Sequence, residues 1–367
     1  MRILDRQAIE DIAVGAALLG TGGGGDPYVG KLMAIQAIEE YGPITLLDPE
    51  ELNDEALVVP TAMMGAPTVL VEKVPNGEEA VQAFELLQNY LGRKIDATMP
   101  IEAGGVNSMI PLALAARLGI PVIDSDGMGR AFPEIQMLTF HLEGVSANPM
   151  VICDEKGNSA LYNTTDNVWM ERLARGTCVQ MGGSVMDAMY PMSGKQVKSA
   201  GISGIITLTE KIGRAIREAK QHRYDPLQRV LEITGGYELF RGKVTDVSRK
   251  TAGGFVRGEA KFAGLDHYKG QTVTLSFQNE HLMARTESEV LATTPDLIAV
   301  LDIENAKPIT TEGLRFGARG VVIGIPCHEK WRTPKGIETV GPRYFGYDLD
   351  YIPIEERISK RQGGAQA

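Results

Sequence analysis

Three short loops in the first half of the chain combine polar side chains with glycine. They read MGAPT at residues 64–68, EAGGVN at 102–107 and DSDGMGR at 124–130. Each follows a short apolar run that is typical of a buried strand. In an open parallel sheet the strands end at one shared edge, where ligands bind. The polar residues predicted to converge at this edge are Glu102, Asn107, Asp124, Asp126 and Arg130.

Carboxylates in such loops support two kinds of chemistry. Asp124 and Asp126 could bind a divalent cation through oxygen ligands or divide into an acid and a base. We predict that Asp124, Asp126 and Glu102 are catalytic, and His141 joins the two aspartates as a candidate metal ligand. The five histidines show no HxH or HExxH spacing, so a zinc hydrolase pattern is absent and the metal stays undetermined. A helix cap or surface pair is the structural alternative for each residue.

A glycine cluster, GTGGGGDP at residues 20–27, is the second feature. It fits G-x-G-x-x-G, but a dinucleotide loop requires a preceding strand, and residues 5–19 have helical spacing. The N–H groups of such a turn could bind an anion, and a tight turn between two helices is the alternative reading. The residues predicted to bind substrate are Gly22, Gly23, Gly24, Gly25, Asp26, Thr68, Gly104, Gly105, Asn107 and Arg130.

Two polar clusters lie in the second half of the chain. Residues 278–281 (QNEH) follow a strand-like run and fit a cleft or the end of a hairpin equally well. Cys327, His328 and Glu329 follow an apolar run, and a Cys–His pair suggests a nucleophile. Adjacent side chains rarely face each other, so the sequence leaves the role of this triplet open.

The order of apolar patterns predicts two domains, as expected for 367 residues. Strands alternate with helices up to residue 235, which favours an α/β domain with a mostly parallel sheet over residues 1–235. Period-two alternation between glycines then predicts a smaller, mainly β domain over residues 236–367.

Composition restricts the partners. A net charge of −10 and a pI of about 5.2 argue against nucleic acid. No apolar run is long enough for a membrane span. Three scattered cysteines and a charged amino terminus favour a cytoplasmic protein. We expect a small-molecule substrate and, as the default for such proteins, a homo-oligomer.

Several of these strings together resemble the DUF917 family. The strings are GTGGGGDP at residues 20–27, EAGGVN at 102–107 and DSDGMGRAFPE at 124–134. Further similar strings are GAPT at 65–68 with EK at 72–73, GKVTDV at 242–247, FQNE at 277–280, PDLI at 295–298 and FGY at 345–347. The resemblance extends over nearly the whole chain.

Members of this family have been named S-methyl thiohydantoin desulfurases, and others are associated with hydantoinase and oxoprolinase systems. The resemblance implies a hydrolase acting on a small heterocycle of the thiohydantoin or hydantoin type, with water attack at the ring carbon and release of a thiol. A carboxylate would take the water proton, and Asn107, Arg130 or the N–H groups of Gly104 and Gly105 would stabilise the developing charge.

Two alternatives stay open at this point. The chain could be a non-catalytic or accessory subunit that works beside a hydantoinase-type partner. It could also be a nucleotide-binding enzyme that uses the loop at residues 20–25.

Overall fold

The computed structural model describes residues 1–66, 69, 73 and 75–364. Thr68 and Glu72, which the sequence analysis singled out, lie outside these residues. Over the described part of the chain, no helix is long and apolar enough to cross a membrane.

The first sheet is mixed and contains nine strands in the described chain. Its parallel part has the spatial order β2, β5, β4, β3. These strands are β2 (Ile44–Leu47), β3 (Leu57–Gly65), β4 (Ala97–Pro100) and β5 (Val122–Ile123). All of β4 and β5 and nearly all of β3 are buried because helices cover both faces, which explains why they appear in the sequence as unbroken apolar runs.

Antiparallel strands extend the sheet on both sides. They are β1 (Arg2–Leu4), β7 (Met150–Cys153), β8 (Ser159–Tyr162), β9 (Ser184–Ala188) and β10 (Met192–Ser193). Strand β1 pairs with β2 on one side. On the other side β9 pairs with β3, β7 pairs with β9, and β8 pairs with β7. Parallel and antiparallel pairing therefore meet at β3. A separate two-stranded ribbon joins β6 (Ser125–Asp126) to β11 (Ile202–Ser203).

The helices of this part lie on both faces of the sheet. They are α1 (Arg6–Leu19), α2 (Tyr28–Tyr41), α3 (Glu79–Leu91), α4 (Gly105–Leu118), α5 (Thr139–Leu142), α6 (Asn167–Gln180), α7 (Gly194–Ala200), α8 (Ile205–His222) and α9 (Pro226–Thr234). Val151 of β7 packs in one cluster with Phe84 of α3, and its neighbour Ile152 packs in another with Met170 of α6. Alternate residues of a strand point to opposite faces, so α3 and α6 cover opposite sides.

The second sheet is antiparallel, with the order β16, β15, β14, β13, β12, β18, β17. Its strands are β12 (Tyr237–Ala252), β13 (Phe255–Gly264), β14 (Thr272–Gln278), β15 (Glu280–Arg285), β16 (Val290–Thr293), β17 (Leu297–Asp302) and β18 (Arg319–Ile325). Two helices follow, α10 (Pro334–Val340) and α11 (Ile354–Gly364).

The predicted fold class, an α/β part followed by a mainly β part, is confirmed. Parallel pairing is restricted to β2, β5, β4 and β3, and the other strands of the first sheet are antiparallel. For one of these pairs the reason is local, because β7 and β8 form a hairpin around Gly157, where φ is 87°. A tight hairpin can join only antiparallel strands.

Candidate functional site

A cavity of about 70 Å³ lies at the carboxyl ends of β3 and β4. One water molecule needs about 10–15 Å³ by the same measure, so the space holds several waters or a small ring. The cavity is lined by Gly24 and by residues of β3, β9, α6, the loop after β4, the segment 128–138 and the turn between β14 and β15. Both sheets therefore contribute residues to one site.

Glu102 follows β4 and faces this cavity. Its Oε1 accepts a hydrogen bond from Asn107 Nδ2 over 2.7 Å, and its Oε2 accepts one from the N–H of Phe132 over 3.2 Å. Burial raises the pKa of Glu102 to about 7, and these two donors, which stabilise the ionised form, oppose the rise. The carboxyl group therefore titrates near neutral pH.

Asp187 lies in the middle of β9, opposite Ala62 of β3. Its side chain is fully buried and lines the cavity, and neither carboxyl oxygen has a hydrogen-bond partner within the described residues. Burial raises the pKa of Asp187 to about 8, although Arg175 and the nearby N–H of Ala62 lower it. A buried polar group without a partner is costly, so this one requires an explanation.

Glu280 reaches the cavity from the second sheet, at the start of β15. It is buried, and its Oε2 has no partner among the described residues. Burial raises the pKa of Glu280 well above its ordinary value, the charge of Glu102 raises it further, and Arg130 lowers it. Three carboxyl groups thus face one small space, and burial favours the neutral form of each.

Arg175 of α6 brings positive charge to the cavity wall. It forms a two-point ion pair with Glu171, with Nε to Oε1 at 2.7 Å and Nη2 to Oε2 at 3.3 Å. The Phe255 ring at the tip of the β12–β13 hairpin lies 4.5 Å from its guanidinium carbon. This arginine lowers the pKa of Glu102, Asp187 and Glu280, so it stabilises whichever of them is ionised.

The glycine loop packs against these walls more closely than any side chain would allow. A Cβ atom on Gly23 would lie 2.0 Å from Glu280 Oε1, and one on Gly24 would lie 2.5 Å from the Cα of Gly104. The carbonyl oxygen of Gly24 accepts the N–H of Val106 over 2.8 Å, at the start of α4. Glycine at these positions allows the backbone to approach Glu280 and the loop after β4.

Of the other residues predicted to bind substrate, Asn107 lines the cavity, and Gly22, Gly25, Asp26 and Gly105 make contacts within the protein. Besides Glu102, Asn107 contacts the N–H of Met63 through Oδ1 over 2.8 Å. Gly22 accepts two hydrogen bonds from Thr311, and Asp26 accepts the N–H of Tyr28 at the start of α2. A Cβ atom on Gly105 would lie 1.6 Å from the carbonyl oxygen of Gly25. The helix α1, not a strand, precedes the loop.

Arg130 is fully buried and donates mainly to carbonyl oxygens. Nη1 donates to Pro295 and Asp296, both over 2.8 Å, and Nη2 donates to Thr21 Oγ1 over 3.1 Å and to the carbonyl of His281 over 3.3 Å. Its side chain does not line the cavity. It connects the glycine loop to the second sheet.

Asp124 and Asp126 lie close in sequence but contact different elements. Asp124 Oδ1 accepts the N–H groups of Ile206 and Thr207 over 2.8 and 3.1 Å, at the start of α8. Both oxygens of Asp126 accept the N–H of Gly129 over 2.9 Å, and burial raises the pKa of Asp126 well above its ordinary value. Neither side chain lines the cavity.

The candidate metal ligands do not meet. His141 Nδ1 lies 3.1 Å from Asn167 Nδ2, whereas Asp124 accepts hydrogen bonds from the start of α8. In the part of the chain that the structure describes, no three His, Cys, Asp or Glu side chains are arranged to hold a metal ion. These donors therefore do not fit a shared cation.

Cys327 and His328 have separate contacts. Cys327 is buried and its N–H donates to Asp296 Oδ1 over 2.9 Å, while burial raises the pKa of its thiol to about 12. His328 Nδ1 accepts the N–H of Lys330 over 3.3 Å in a short turn. The two side chains do not form a pair.

Asp187 and Arg175 were not predicted from the sequence, and Glu280 was predicted only as part of a polar cluster. A signal for Asp187 exists in the string SVMDA, Ser184–Ala188, where one carboxylate interrupts an apolar strand. A charged residue inside a strand that is buried throughout is rare unless it is paired or functional.

The chain matches a family model described as "S-Me-THD-like, N-terminal domain" over residues 7–164 and one described as "S-Me-THD-like, C-terminal domain" over residues 165–354. It is also similar to the crystal structure of a protein from Chromobacterium violaceum, a target of the Northeast Structural Genomics Consortium. That likeness has a TM-score of 0.81 and 25% identity, covering 96% of this chain and 100% of the other. No curated protein matches the chain. Because the two family models together span nearly its whole length, this protein belongs to the S-Me-THD-like family, as the sequence resemblance indicated.

Proposed function

We propose that this protein is a hydrolase that releases a thiol from a small S-methylated heterocycle of the thiohydantoin type. The observation that carries the proposal is Asp187, a buried carboxyl group that lines the cavity and whose two oxygens have no partner within the described residues. Groups with strongly shifted pKa values in a cavity are candidates for acid–base chemistry. The family resemblance supports the reaction class, and the buried carboxyl groups supply the chemistry.

Near neutral pH, Glu102 acts as the base and Asp187 acts as the acid. Glu102 ionises first, because its pKa is about 7 and both of its oxygens accept hydrogen bonds. Asp187 keeps its proton up to a pKa of about 8. Neighbouring groups whose environments separate their pKa values in this way can act as base and acid at the same pH.

The reaction begins with water attack on the ring carbon between the two nitrogens. As the C–O bond forms, Glu102 takes one water proton, and Asp187 gives its proton to the ring nitrogen that receives the C=N electron pair. Arg175 stabilises the carboxylate that Asp187 becomes. The tetrahedral carbon then carries a hydroxyl group, the S-methyl group and two ring nitrogens.

Collapse of this intermediate restores both groups. The C–S bond breaks, the sulfur leaves with the proton held by Glu102, and the hydroxyl proton returns to Asp187 as the C=O bond forms. The products are a ring carbonyl flanked by two N–H groups and methanethiol, and no oxidant or reductant is consumed. The unpartnered Oε2 of Glu280 can accept a hydrogen bond from the ring or from the attacking water.

The charge of the cavity favours this occupant over a nucleotide. Three buried carboxyl groups and the partly exposed Glu134 line the space, and Arg175 is already paired with Glu171. A phosphate group placed there would be repelled by any ionised carboxylate, whereas a neutral, N–H-bearing ring would be accepted.

The test is turnover of an S-methylated thiohydantoin, followed through methanethiol with a thiol-reactive chromophore. We expect turnover by the native protein and a loss of about 100-fold or more in Asp187→Asn and Glu102→Gln, the usual size of an acid or base contribution. Asp154→Asn is the matched control, since Asp154 is buried but bonded to Asn158 in the β7–β8 turn, outside the cavity.

Three outcomes would overturn the proposal. Absence of turnover by the native protein on thiohydantoins would remove the reaction. Turnover that requires an added hydantoinase-type protein would favour the accessory role. Loss of turnover in Asp124→Asn, with native turnover in Asp187→Asn, would move the chemistry to the loop at residues 124–130.

A further inference from the structure

Strand β8 forms an unprotected edge of the first sheet. Within the described chain it pairs only with β7, and its residues Ser159 and Leu161 are exposed. Natural proteins protect sheet edges with charged residues, proline or a covering segment. The sequence SALY of β8 contains no charge and no proline. The opposite edge strand, β1, differs because its Arg2 pairs with Glu210.

The edges of the second sheet are protected in the ways that β8 is not. Helix α11 lies beside β16, where Arg357 Nη1 donates to the carbonyl oxygen of Val290 over 3.0 Å. The segment after β17 turns back along it, and the N–H of Ile309 donates to the carbonyl oxygen of Val300 over 2.8 Å. In contrast to both edges of the second sheet, β8 therefore offers backbone donors and acceptors without a cover in the described chain.

Exposed apolar side chains flank β8 on both faces of the sheet. Leu161 is 41% exposed and lies on the face of α3, where Asn163 Nδ2 donates to the hydroxyl of Tyr90 over 2.7 Å. Trp169 is 47% exposed on α6, which covers the opposite face. Of the fourteen exposed large apolar residues in the described part of the chain, seven belong to these three elements, namely Leu86, Tyr90, Leu161, Val168, Trp169, Leu173 and Val179. Such a concentration marks an interaction surface.

We propose that β8 pairs with β8 of a second copy of this chain, antiparallel and about a two-fold axis, so that two first sheets join into one. Two identical strands related by a two-fold axis run antiparallel and can satisfy each other's N–H and C=O groups reciprocally. This symmetry makes a second copy a better match than an unrelated strand.

The flanking helices supply the apolar contact that a strand pair lacks. A two-stranded pair alone is marginal in water, and a stable dimer buries about 1,600 Å² in total. When the sheets join, α3 and α6 of each copy approach their counterparts on either face, and the apolar residues beside β8 lose contact with water. The edge is uncharged, so no like charges oppose the contact.

The test compares one substitution on each edge of the sheet. Leu161→Lys places a charge on β8, and Ile3→Lys does the same on β1, where Ile3 is 55% exposed. Light scattering after size exclusion and sedimentation over a wide concentration range give the mass of each protein. We expect a dimer for the native chain and for Ile3→Lys, and a monomer for Leu161→Lys. Both substituted residues are exposed, so circular dichroism should show native folding in each variant.

Hydrogen exchange of the β8 amides gives a second readout. We expect protection of the outward N–H groups in the native protein and faster exchange in Leu161→Lys, with no change at β8 in Ile3→Lys. A native protein that is monomeric at all concentrations overturns the proposal, even when a different protein binds this edge. A Leu161→Lys variant that stays dimeric, with native protection at β8, overturns it as well.

Discussion

The N–H of Asn279 donates to the carbonyl oxygen of Val256 over 2.7 Å, and Asn279 Oδ1 accepts the N–H of Val256 over 2.8 Å. Asn279 has a φ of 58°, in the left-handed region that asparagine tolerates better than most residues. The two bonds connect the β14–β15 turn to the β12–β13 hairpin. Glu280 on the turn and Phe255 on the hairpin reach the cavity region together, so one residue holds both in register.

Two substitutions of Asn279 should therefore separate the contribution of its side-chain hydrogen bond from that of its left-handed backbone. In Asn279→Gly only the side-chain hydrogen bond is lost, at about 1 kcal/mol of the free energy of unfolding. In Asn279→Ala the left-handed backbone costs about 1 kcal/mol more. Urea unfolding of the three proteins measures both contributions. An alanine variant as stable as the glycine variant would show that the backbone at this position relaxes.

The carboxyl group of Asp187 should make the protein less stable as the pH rises. Its pKa is about 8 in the folded state and near 3.9 in the unfolded chain. Below the lower value both states are protonated and the group contributes nothing. Between pH 4 and 8 the unfolded chain ionises while the folded protein keeps its proton, so stability falls, by on the order of 5 kcal/mol above pH 8.

Asp187→Asn removes this titration at nearly constant shape. We expect the variant to match the native protein near pH 4 and to exceed its free energy of unfolding at pH 8–9, while losing turnover. Urea unfolding at several pH values provides the comparison. A stability difference that does not change with pH would mean that Asp187 does not keep its proton in the folded protein.

The sequence was sufficient to find the part of the site that follows parallel strands. Glu102 and Asn107 come directly after an apolar run, and the shared edge of a parallel sheet predicts that they lie near a ligand. Asp187 could not be found in this way, because β9 is antiparallel to β3 and presents the residue from mid-strand. Only the tertiary pairing of β9 with β3 brings it to the cavity.

The positions of Asp124 and Arg130 depended on contacts distant in sequence. Asp124 lies at the expected loop, but α8, which begins 81 residues later, supplies N–H groups that occupy Oδ1. Arg130 reaches carbonyl oxygens of the second sheet, including those of Pro295 and Asp296. Spacing along the chain predicts neither contact, because both join segments that are distant in sequence and meet only in the folded protein.

Turnover should have a narrow pH optimum that depends on Asn107. The rate should fall below pH 7 as Glu102 is protonated and above pH 8 as Asp187 ionises. The Asn107 donor lowers the pKa of Glu102, so Asn107→Leu should raise that pKa by about one unit or more. The acidic limb of the pH profile of kcat/KM should then move to higher pH.

A matched control lies one residue further along α4. The hydroxyl of Ser108 lies 3.5 Å from the backbone carbonyl of Glu102 and does not touch its carboxylate. Ser108→Ala should leave the acidic limb of kcat/KM in place. A limb that stays fixed in Asn107→Leu would assign it to a group other than Glu102.

A side chain at Gly23 should displace Glu280, because the space that a Cβ atom needs is occupied by the side chain of Glu280. That atom would lie 2.0 Å from Glu280 Oε1 and 2.5 Å from its Cδ, and the enclosed carboxyl group has little room to move. Gly23→Ala should lower turnover by about tenfold or more and cost about 1–3 kcal/mol of stability, as overpacking does. Gly176→Ala is the control, since a Cβ atom there meets nothing within 4 Å and alanine in a helix should add about 0.5–1 kcal/mol. Native turnover in Gly23→Ala would show that the reaction does not depend on the position of Glu280, and the site would then reduce to Glu102 and Asp187.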